Sequence, residues 1–140
     1  MFERHPLHYD TLIPAFLGHY EEHLEFLKDI NSEWIVGCLD TGHSMICGEK
    51  PQDAIYHLGA KYLKALHIHD CNGYEDLHAL PYSMRTEWSK ILKALGGIGY
   101  EGYFTFEAEK FLVNYPDDFL SQALCYMCLL GRYMIAQIER

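Results

Sequence analysis

Ionisable side chains follow three short apolar runs in this sequence. They are Asp40 and His43 in 37-GCLDTGH-43, His67, His69 and Asp70 in 66-LHIHD-70, and Glu107 in 103-YFTFE-107, with Glu109 two residues further on. Aspartate, glutamate and histidine together offer the oxygen and nitrogen ligands that suit Mn²⁺, Co²⁺, Zn²⁺, Fe²⁺ or Mg²⁺. A divalent ion held by such a set can polarise a carbonyl or hydroxyl oxygen, or activate a water molecule.

Each of these residues also has an ordinary structural interpretation. Asp40 and Asp70 could be turn or cap residues ahead of helices, which is a common role for aspartate. The pair Asp76 and His78, in the loop after the second apolar run, could place two ligands on one ion or be a solvated pair. Agreement between three separate segments favours the interpretation as a site.

The elements that must position these residues alternate along the chain. Apolar periodicity predicts helices over 9–30, 53–61, from 86 or 87 to 97, and 117–138, with strands over 34–39, 62–68 and 103–106. The order αβαβαβα predicts an α/β fold with a parallel sheet, three strands and four helices. Ligands bind at the C-terminal edge of such sheets, and neighbouring strands lie about 5 Å apart. The three polar strand ends are therefore expected to converge.

Composition limits the function classes. The net charge is −9, so the chain as a whole repels phosphate backbones and nucleic-acid binding is not favoured. Five irregularly spaced cysteines do not suggest a disulfide framework, and Cys125 and Cys128 are interpreted as core residues one helical turn apart. The first residues have no signal-peptide pattern, and the apolar stretch 123–131 is too short to span a bilayer. We therefore expect a cytoplasmic protein without membrane contact.

Four motifs together resemble the xylose-isomerase-like TIM-barrel superfamily. They are 39-LDTGH-43, 66-LHIHD-70, 76-DLH-78 followed by Pro81, and 98-IGYEGYFTFE-107. The superfamily includes sugar isomerases, ketose 3-epimerases, inosose dehydratases and the endonuclease IV type of DNA-repair enzyme. The resemblance covers roughly residues 30–112 and matches the C-terminal half of the family's barrel. It implies that residues 1–140 form a single domain that is part of a (β/α)8 barrel.

The resemblance also implies a metal site. By position in the motifs, the ligands are Asp40, His67 and Glu107, and Glu107 also acts as an acid or base. His67 is selected over His69 because it stands three residues before the aspartate of its motif. Glu109 is the less favoured choice for the closing glutamate.

A second set of residues has roles that differ within the superfamily. His43 matches a histidine that contacts substrate in the epimerases and a further metal in the endonucleases. Asp76 and His78 match a pair that holds an extra zinc in the repair enzymes, so a second metal on His43, Asp76 and His78 stays an alternative. The family's glycine-rich turn after this pair is replaced by residues 81–84, PYSM, so the substrate loop is expected to differ.

The expected function is divalent-metal-dependent isomerisation or epimerisation of a sugar or polyol, by proton transfer next to a carbonyl. The family's barrel has eight strands and about 250 residues, so the chain is expected to be the C-terminal portion and to lack the glutamate of the preceding strand. Glu3 is a poor substitute for that glutamate. We therefore expect little activity from the chain alone, and self-association or pairing with an N-terminal half barrel. The alternatives are a zinc phosphodiesterase acting on abasic DNA and an inactive truncated protein.

Overall fold

The computed structural model describes residues 18–138. The helices are α1 (Tyr20–Ile30), α2 (Thr41–Ile46), α3 (Pro51–Tyr62), α4 (Trp88–Gly97) and α5 (Leu120–Ala136), the strands are β1 (Gly37–Asp40), β2 (Leu63–Ile68) and β3 (Tyr103–Phe106), and two 3₁₀ turns cover Glu109–Phe111 and Asp117–Phe119. The predicted start of the first helix at Tyr9, and Glu3, lie outside the described residues.

The three strands form one parallel sheet in the order β1-β2-β3. This confirms the predicted α/β class and the parallel sheet. In register, His67 stands opposite Asp40 on one side and Thr105 on the other. The C-terminal ends of all three strands therefore meet at one edge of the sheet.

The core lies between the sheet and helices α1, α3 and α4. Leu39, Leu66 and Ile68 from the strands join Ile55 and Leu58 of α3 in one buried apolar cluster. Successive side chains of a strand point to opposite faces. Burial of Leu66 and Ile68 against the helices therefore places His67 on the other face, which in a closed barrel is the inner one.

One strand boundary and one additional helix differ from the sequence prediction. The first strand begins at Gly37 rather than at Trp34, whose side chain is 91% exposed. The six-residue helix α2, directly after this strand, was not predicted, because a segment with three polar residues and a glycine has no apolar periodicity. Helix α3 contains one non-helical residue, Gly59, whose φ of 62° is a conformation that glycine adopts readily.

The last helix differs most from expectation. The predicted helix over 117–138 is a 3₁₀ turn followed by α5, and few of its side chains are buried. Cys125 and Cys128 are exposed, so their interpretation as core residues was wrong. The helical stretch Asp117–Ala136 has 20 residues and is apolar enough to cross a membrane by length and composition, so the estimate that the apolar stretch is too short was also wrong. The same test is passed by helices of soluble proteins, and this helix packs on β3.

Candidate metal centre

Three ligand-type side chains meet at the C-terminal edge of the sheet. Asp40 is the last residue of β1, His67 is its neighbour in register on β2, and Glu107 directly follows β3. The backbone N–H of Glu107 donates to the carbonyl oxygen of Ile68 at 3.0 Å, which extends the β2–β3 pairing to the position of the carboxylate. One ligand atom from each of these three side chains lies within 4.8 Å of the other two.

The Asp40 carboxylate uses its two oxygens differently. Oδ1 accepts hydrogen bonds from the backbone N–H of His43 at 2.7 Å and from Nε2 of His69 at 2.8 Å. The first of these bonds caps α2, so the structural interpretation of Asp40 holds for this oxygen. Oδ2 is buried and accepts no hydrogen bond within residues 18–138, although Nδ1 of His43 and of His67 lie 3.3 and 4.0 Å away.

This donor set fits a divalent cation. A buried carboxylate oxygen without a hydrogen bond is costly, and a cation is one way to compensate it. Nδ1 of His67 lies 2.6 Å from Oε2 of Glu107, so an imidazole and a second carboxylate complete a mixed nitrogen and oxygen set. Asp40, His67 and Glu107 are the three ligands that the resemblance implied, and the structure brings them together.

The charges of this group depend strongly on each other. Contacts with the Cys38 thiol and with Glu107 raise the pKa of His67 to about 11, against burial, which lowers it. Burial raises the pKa of Glu107, but its contacts with His67 and Asp40 outweigh this and bring it to about 2. A cation held by His67 and Glu107 would therefore have to displace the proton of the His67 imidazolium.

A second cluster lies next to the first. His43, His69, Asp76 and His78 each place a ligand atom within 4.8 Å of the others. Oδ1 of Asp76 lies 2.9 Å from Nε2 of His78 and 3.3 Å from Nε2 of His43. Burial raises the pKa of Asp76, yet its close contact with His43 and the charge of His78 bring it to about 2. The predicted trio of His43, Asp76 and His78 is therefore assembled, with His69 beside it.

Asp70 anchors the loop that carries Asp76 and His78. Its Oδ1 accepts from the backbone N–H groups of Cys71 and Thr86, each at 3.0 Å, and from the Thr86 hydroxyl. Its Oδ2 accepts from the backbone N–H of Met84 at 3.0 Å and from the Trp88 indole at 3.1 Å. Asp70 is thus the loop-anchoring aspartate that one interpretation of the sequence allowed, and none of these contacts points to a ligand role.

Two residues of this region have roles that sequence reasoning did not assign. His69 was set aside in favour of His67, yet its side chain is fully buried and bonded to Asp40. Alternation along the strand could have indicated this, since His67 and His69 are two residues apart and point to the same face. Glu109, the less favoured closing glutamate, lies in a 3₁₀ turn with its Oε2 3.2 Å from Nδ1 of His78.

The loop that replaces the family's glycine-rich turn lines an open cavity of about 440 Å³. Pro81, Tyr82 and Met84 contribute one wall, and Phe111 and Tyr126 contribute another. Tyr82 has φ 70°, a conformation that residues other than glycine seldom adopt. This apolar cavity lies beside the segment that carries His78. Residues 81–84, which were expected to form an altered substrate loop, line it.

Comparison with known proteins decides the family. The sequence profile of the xylose isomerase-like TIM barrel family matches residues 3–123. The chain belongs to this family. Among curated relatives, an uncharacterised protein of Sinorhizobium fredii is 28% identical over 99 residues, which cover 70% of this chain and 32% of that protein. An uncharacterised protein of Methanocaldococcus jannaschii is 30% identical over 89 residues, which cover 62% of this chain and 30% of that protein.

Solved structures with the same fold are TIM-barrel sugar epimerases. A D-psicose 3-epimerase crystallised in the presence of D-fructose matches with a TM-score of 0.69 and 20% identity, over 84% of this chain and 44% of that one. A D-tagatose 3-epimerase-like protein matches with a TM-score of 0.62 and 22% identity, over 95% and 48%. An L-ribulose 3-epimerase matches with a TM-score of 0.63 and 24% identity, over 88% and 42%. The chain therefore has the fold of part of a TIM barrel, and it spans less than half of each of these structures and about a third of the curated relatives.

Proposed function

We propose that this chain is part of a divalent-metal-dependent sugar or polyol isomerase or epimerase. The observation that carries the proposal is the group of Asp40, His67 and Glu107, which meet at the strand ends where TIM barrels place their active sites. The family membership and the sugar epimerases among the structural neighbours support a sugar-like substrate. Mn²⁺, Co²⁺, Zn²⁺ and Mg²⁺ all suit the donor set.

The residues of the site have separate roles in this proposal. Asp40, His67 and Glu107 hold the ion, which when bound supplies positive charge for the substrate's carbonyl and hydroxyl oxygens. Glu107 also removes or returns the proton on the carbon next to the carbonyl, because its carboxylate lies at the open edge of the sheet and is ionised near neutral pH. His43, held by the cap of α2, orients a substrate hydroxyl group.

Epimerisation needs a second acid or base on the opposite face of the substrate carbon. The family resemblance implies a glutamate on a strand that precedes the described residues. We therefore propose that full activity belongs to a completed barrel, and that residues 1–140 form one partial barrel domain within it. The chain either associates with itself or pairs with an N-terminal half barrel, since β1 and β3 are edge strands of the described sheet.

Exchange of a substrate proton with solvent tests this chemistry directly. D-psicose, D-tagatose or L-ribulose is incubated in D2O with Mn²⁺ and either the chain or the chain joined to the first half of the matched D-psicose 3-epimerase barrel. Deuterium at the carbon next to the carbonyl is followed by NMR. We expect slow or no exchange with the chain alone and metal-dependent exchange with the joined barrel.

The matched variants in this assay are Glu107→Gln and Glu109→Gln. Loss of an essential acid or base is expected to reduce exchange by about 10²–10⁴-fold in Glu107→Gln, and Glu109→Gln should keep most of the rate. The proposal would be contradicted if the metal-loaded joined barrel exchanged no proton on any of the three sugars. Equal effects of the two variants would remove Glu107 from the role of acid or base.

A second candidate function is zinc-dependent phosphodiester cleavage at abasic DNA. The observation that favours it is the second cluster, since His43, Asp76 and His78 together with His69 could hold a further metal. The net charge of −9 opposes it. Cleavage of an abasic-site oligonucleotide by the zinc-loaded joined barrel, with more than one zinc per chain, would favour this function over epimerisation.

Two further expectations belong to the same proposal. A cytoplasmic location fits the five free cysteines, all of which lie in the described part of the chain. If the chain binds no metal and the joined barrel shows neither proton exchange nor DNA cleavage, the chain is an inactive truncated protein.

A further inference from the structure

The His69 side chain has a precise and fully buried position between the two clusters. Its Nε2 lies 2.8 Å from Oδ1 of Asp40, and its relative exposure is 0%. A carboxylate only accepts hydrogen bonds, so Nε2 carries the proton and donates. A buried hydrogen bond to a charged group is among the stronger polar contacts in proteins.

The backbone of His69 is fixed by Thr41. The backbone N–H of His69 donates to the Thr41 hydroxyl oxygen at 3.2 Å, and that hydroxyl lies 3.0 Å from the carbonyl oxygen of His69. Thr41 directly follows Asp40 in the chain. The same two segments, the end of β1 and the end of β2, are therefore tied together by main-chain and side-chain contacts.

The ring of His69 is confined on two sides. A Cβ atom added at Gly42 would lie 2.0 Å from Cε1 of His69 and 2.5 Å from each ring nitrogen, so only glycine leaves room for the ring here. On the other side the ring stacks on His78, with ring centroids 4.5 Å apart and an interplanar angle of 10°. The imidazole thus has little freedom to leave Asp40.

This confinement decides which way the Asp40 carboxylate faces. Oδ1 is engaged by His69 and by the backbone of His43, and both contacts are 2.8 Å or shorter. With Oδ1 held by two donors, the carboxylate cannot rotate without losing both. Oδ2 is consequently kept towards His67 and Glu107, the other members of the metal group.

We propose that His69 is a positioning residue that fixes the Asp40 carboxylate for metal binding. It acts through Asp40 rather than as a ligand of that ion. Partners of this kind orient metal ligands and raise their affinity for the ion, and their loss costs about 10–100-fold in metal affinity. The inference rests on the metal centre proposed above, and the experiment separates the two.

The experiment measures Mn²⁺ binding by calorimetry and the visible absorption of the Co²⁺ complex. Wild type is compared with His69→Leu, which removes the donor, and with His69→Gln, whose amide N–H can reach the position of Nε2. His57→Gln is the matched control, because His57 is an exposed histidine on α3. Thermal melts of all variants show which of them are folded.

The inference predicts a graded result. His69→Leu should bind Mn²⁺ about 10–100-fold more weakly and show an altered Co²⁺ spectrum, with His69→Gln restored to within a few-fold of wild type and His57→Gln unchanged. Gly42→Ala, which keeps the imidazole and displaces it, should resemble His69→Leu. This last variant decides the matter if His69→Leu does not fold.

Two results would overturn the inference, and they differ in pattern. Wild-type binding in folded His69→Leu or Gly42→Ala, with an unchanged Co²⁺ spectrum, would show that Asp40 does not need His69. A wild-type chain that takes up neither Mn²⁺ nor Co²⁺ would contradict the proposed metal centre itself, and the role of His69 with it.

Discussion

Replacing Asp70 by asparagine should destabilise the protein through the loop that follows β2. The carboxylate accepts bonds from five donors, three at Oδ1 and two at Oδ2. An asparagine amide turns one of these oxygens into a donor. If the amide nitrogen takes the Oδ2 position, the Met84 N–H and the Trp88 indole lose their acceptor. In the other orientation the Cys71 and Thr86 N–H groups lose theirs.

The magnitude follows from this count of donors. At least two donors become unsatisfied in either orientation, and each buried unsatisfied group costs about 1–3 kcal/mol, so the free energy of unfolding should fall by about 2–6 kcal/mol. Urea denaturation followed by the fluorescence of the buried Trp88 measures this change. Asp29→Asn, at an exposed position in the last turn of α1, is the control and should change stability by less than about 0.5 kcal/mol.

A loss below about 1 kcal/mol in Asp70→Asn would refute the reasoning, because a buried aspartate that accepts this many bonds cannot be replaced at so little cost. Hydrogen exchange gives a second readout. The amides of Cys71, Met84 and Thr86 should lose protection in the variant before the strands do.

Three further predictions follow from exposure and charge. Cys125 and Cys128 are exposed and should react with a thiol reagent in the native protein at pH 7.5. Cys71 should react only on unfolding, because burial raises the pKa of its thiol to about 11 although a hydrogen bond from a backbone N–H lowers it. Equal rates for the three cysteines would contradict this. Leu129→Glu, at an exposed apolar position of α5, should lower the mass measured by light scattering if this helix takes part in self-association, and an unchanged mass would exclude that face. Metal loading should raise the melting temperature, since an ion that binds only the folded chain stabilises it, and an unchanged melt with excess Mn²⁺ would contradict this.

The sheet and its three polar strand ends could be predicted from the sequence. Short apolar runs followed by ionisable residues identified the polar ends of the three strands, and the alternation of strands with helices predicted that these ends are parallel and adjacent. The choice of Asp40, His67 and Glu107 among these residues came from the family resemblance. The structure places the three side chains together. The position of the strand ends depends on local periodicity and on one general rule of α/β architecture, both of which can be applied to a single sequence.

The rest depends on contacts between distant segments. The bond of His69 to Asp40 joins residues 29 positions apart, and its ring lies so close to Gly42 that a Cβ atom there would come within 2.0 Å of it. The exposure of Cys125 and Cys128 also could not be predicted, because an apolar helix is usually buried and only the tertiary arrangement shows which face is covered. The short helix α2 was missed because its Asp40 cap, rather than an apolar stripe, defines it.

Calorimetric titration of the chain with Mn²⁺ tests the central claim most directly. The account predicts one ion per chain at the group of Asp40, His67 and Glu107, with proton release on binding. It also predicts that His67→Ala weakens binding by about 100-fold or more, since removal of a ligand should cost at least as much as removal of an outer partner. His57→Gln should bind like wild type. Equal binding by wild type and His67→Ala, or no metal-dependent heat in either, would contradict the account.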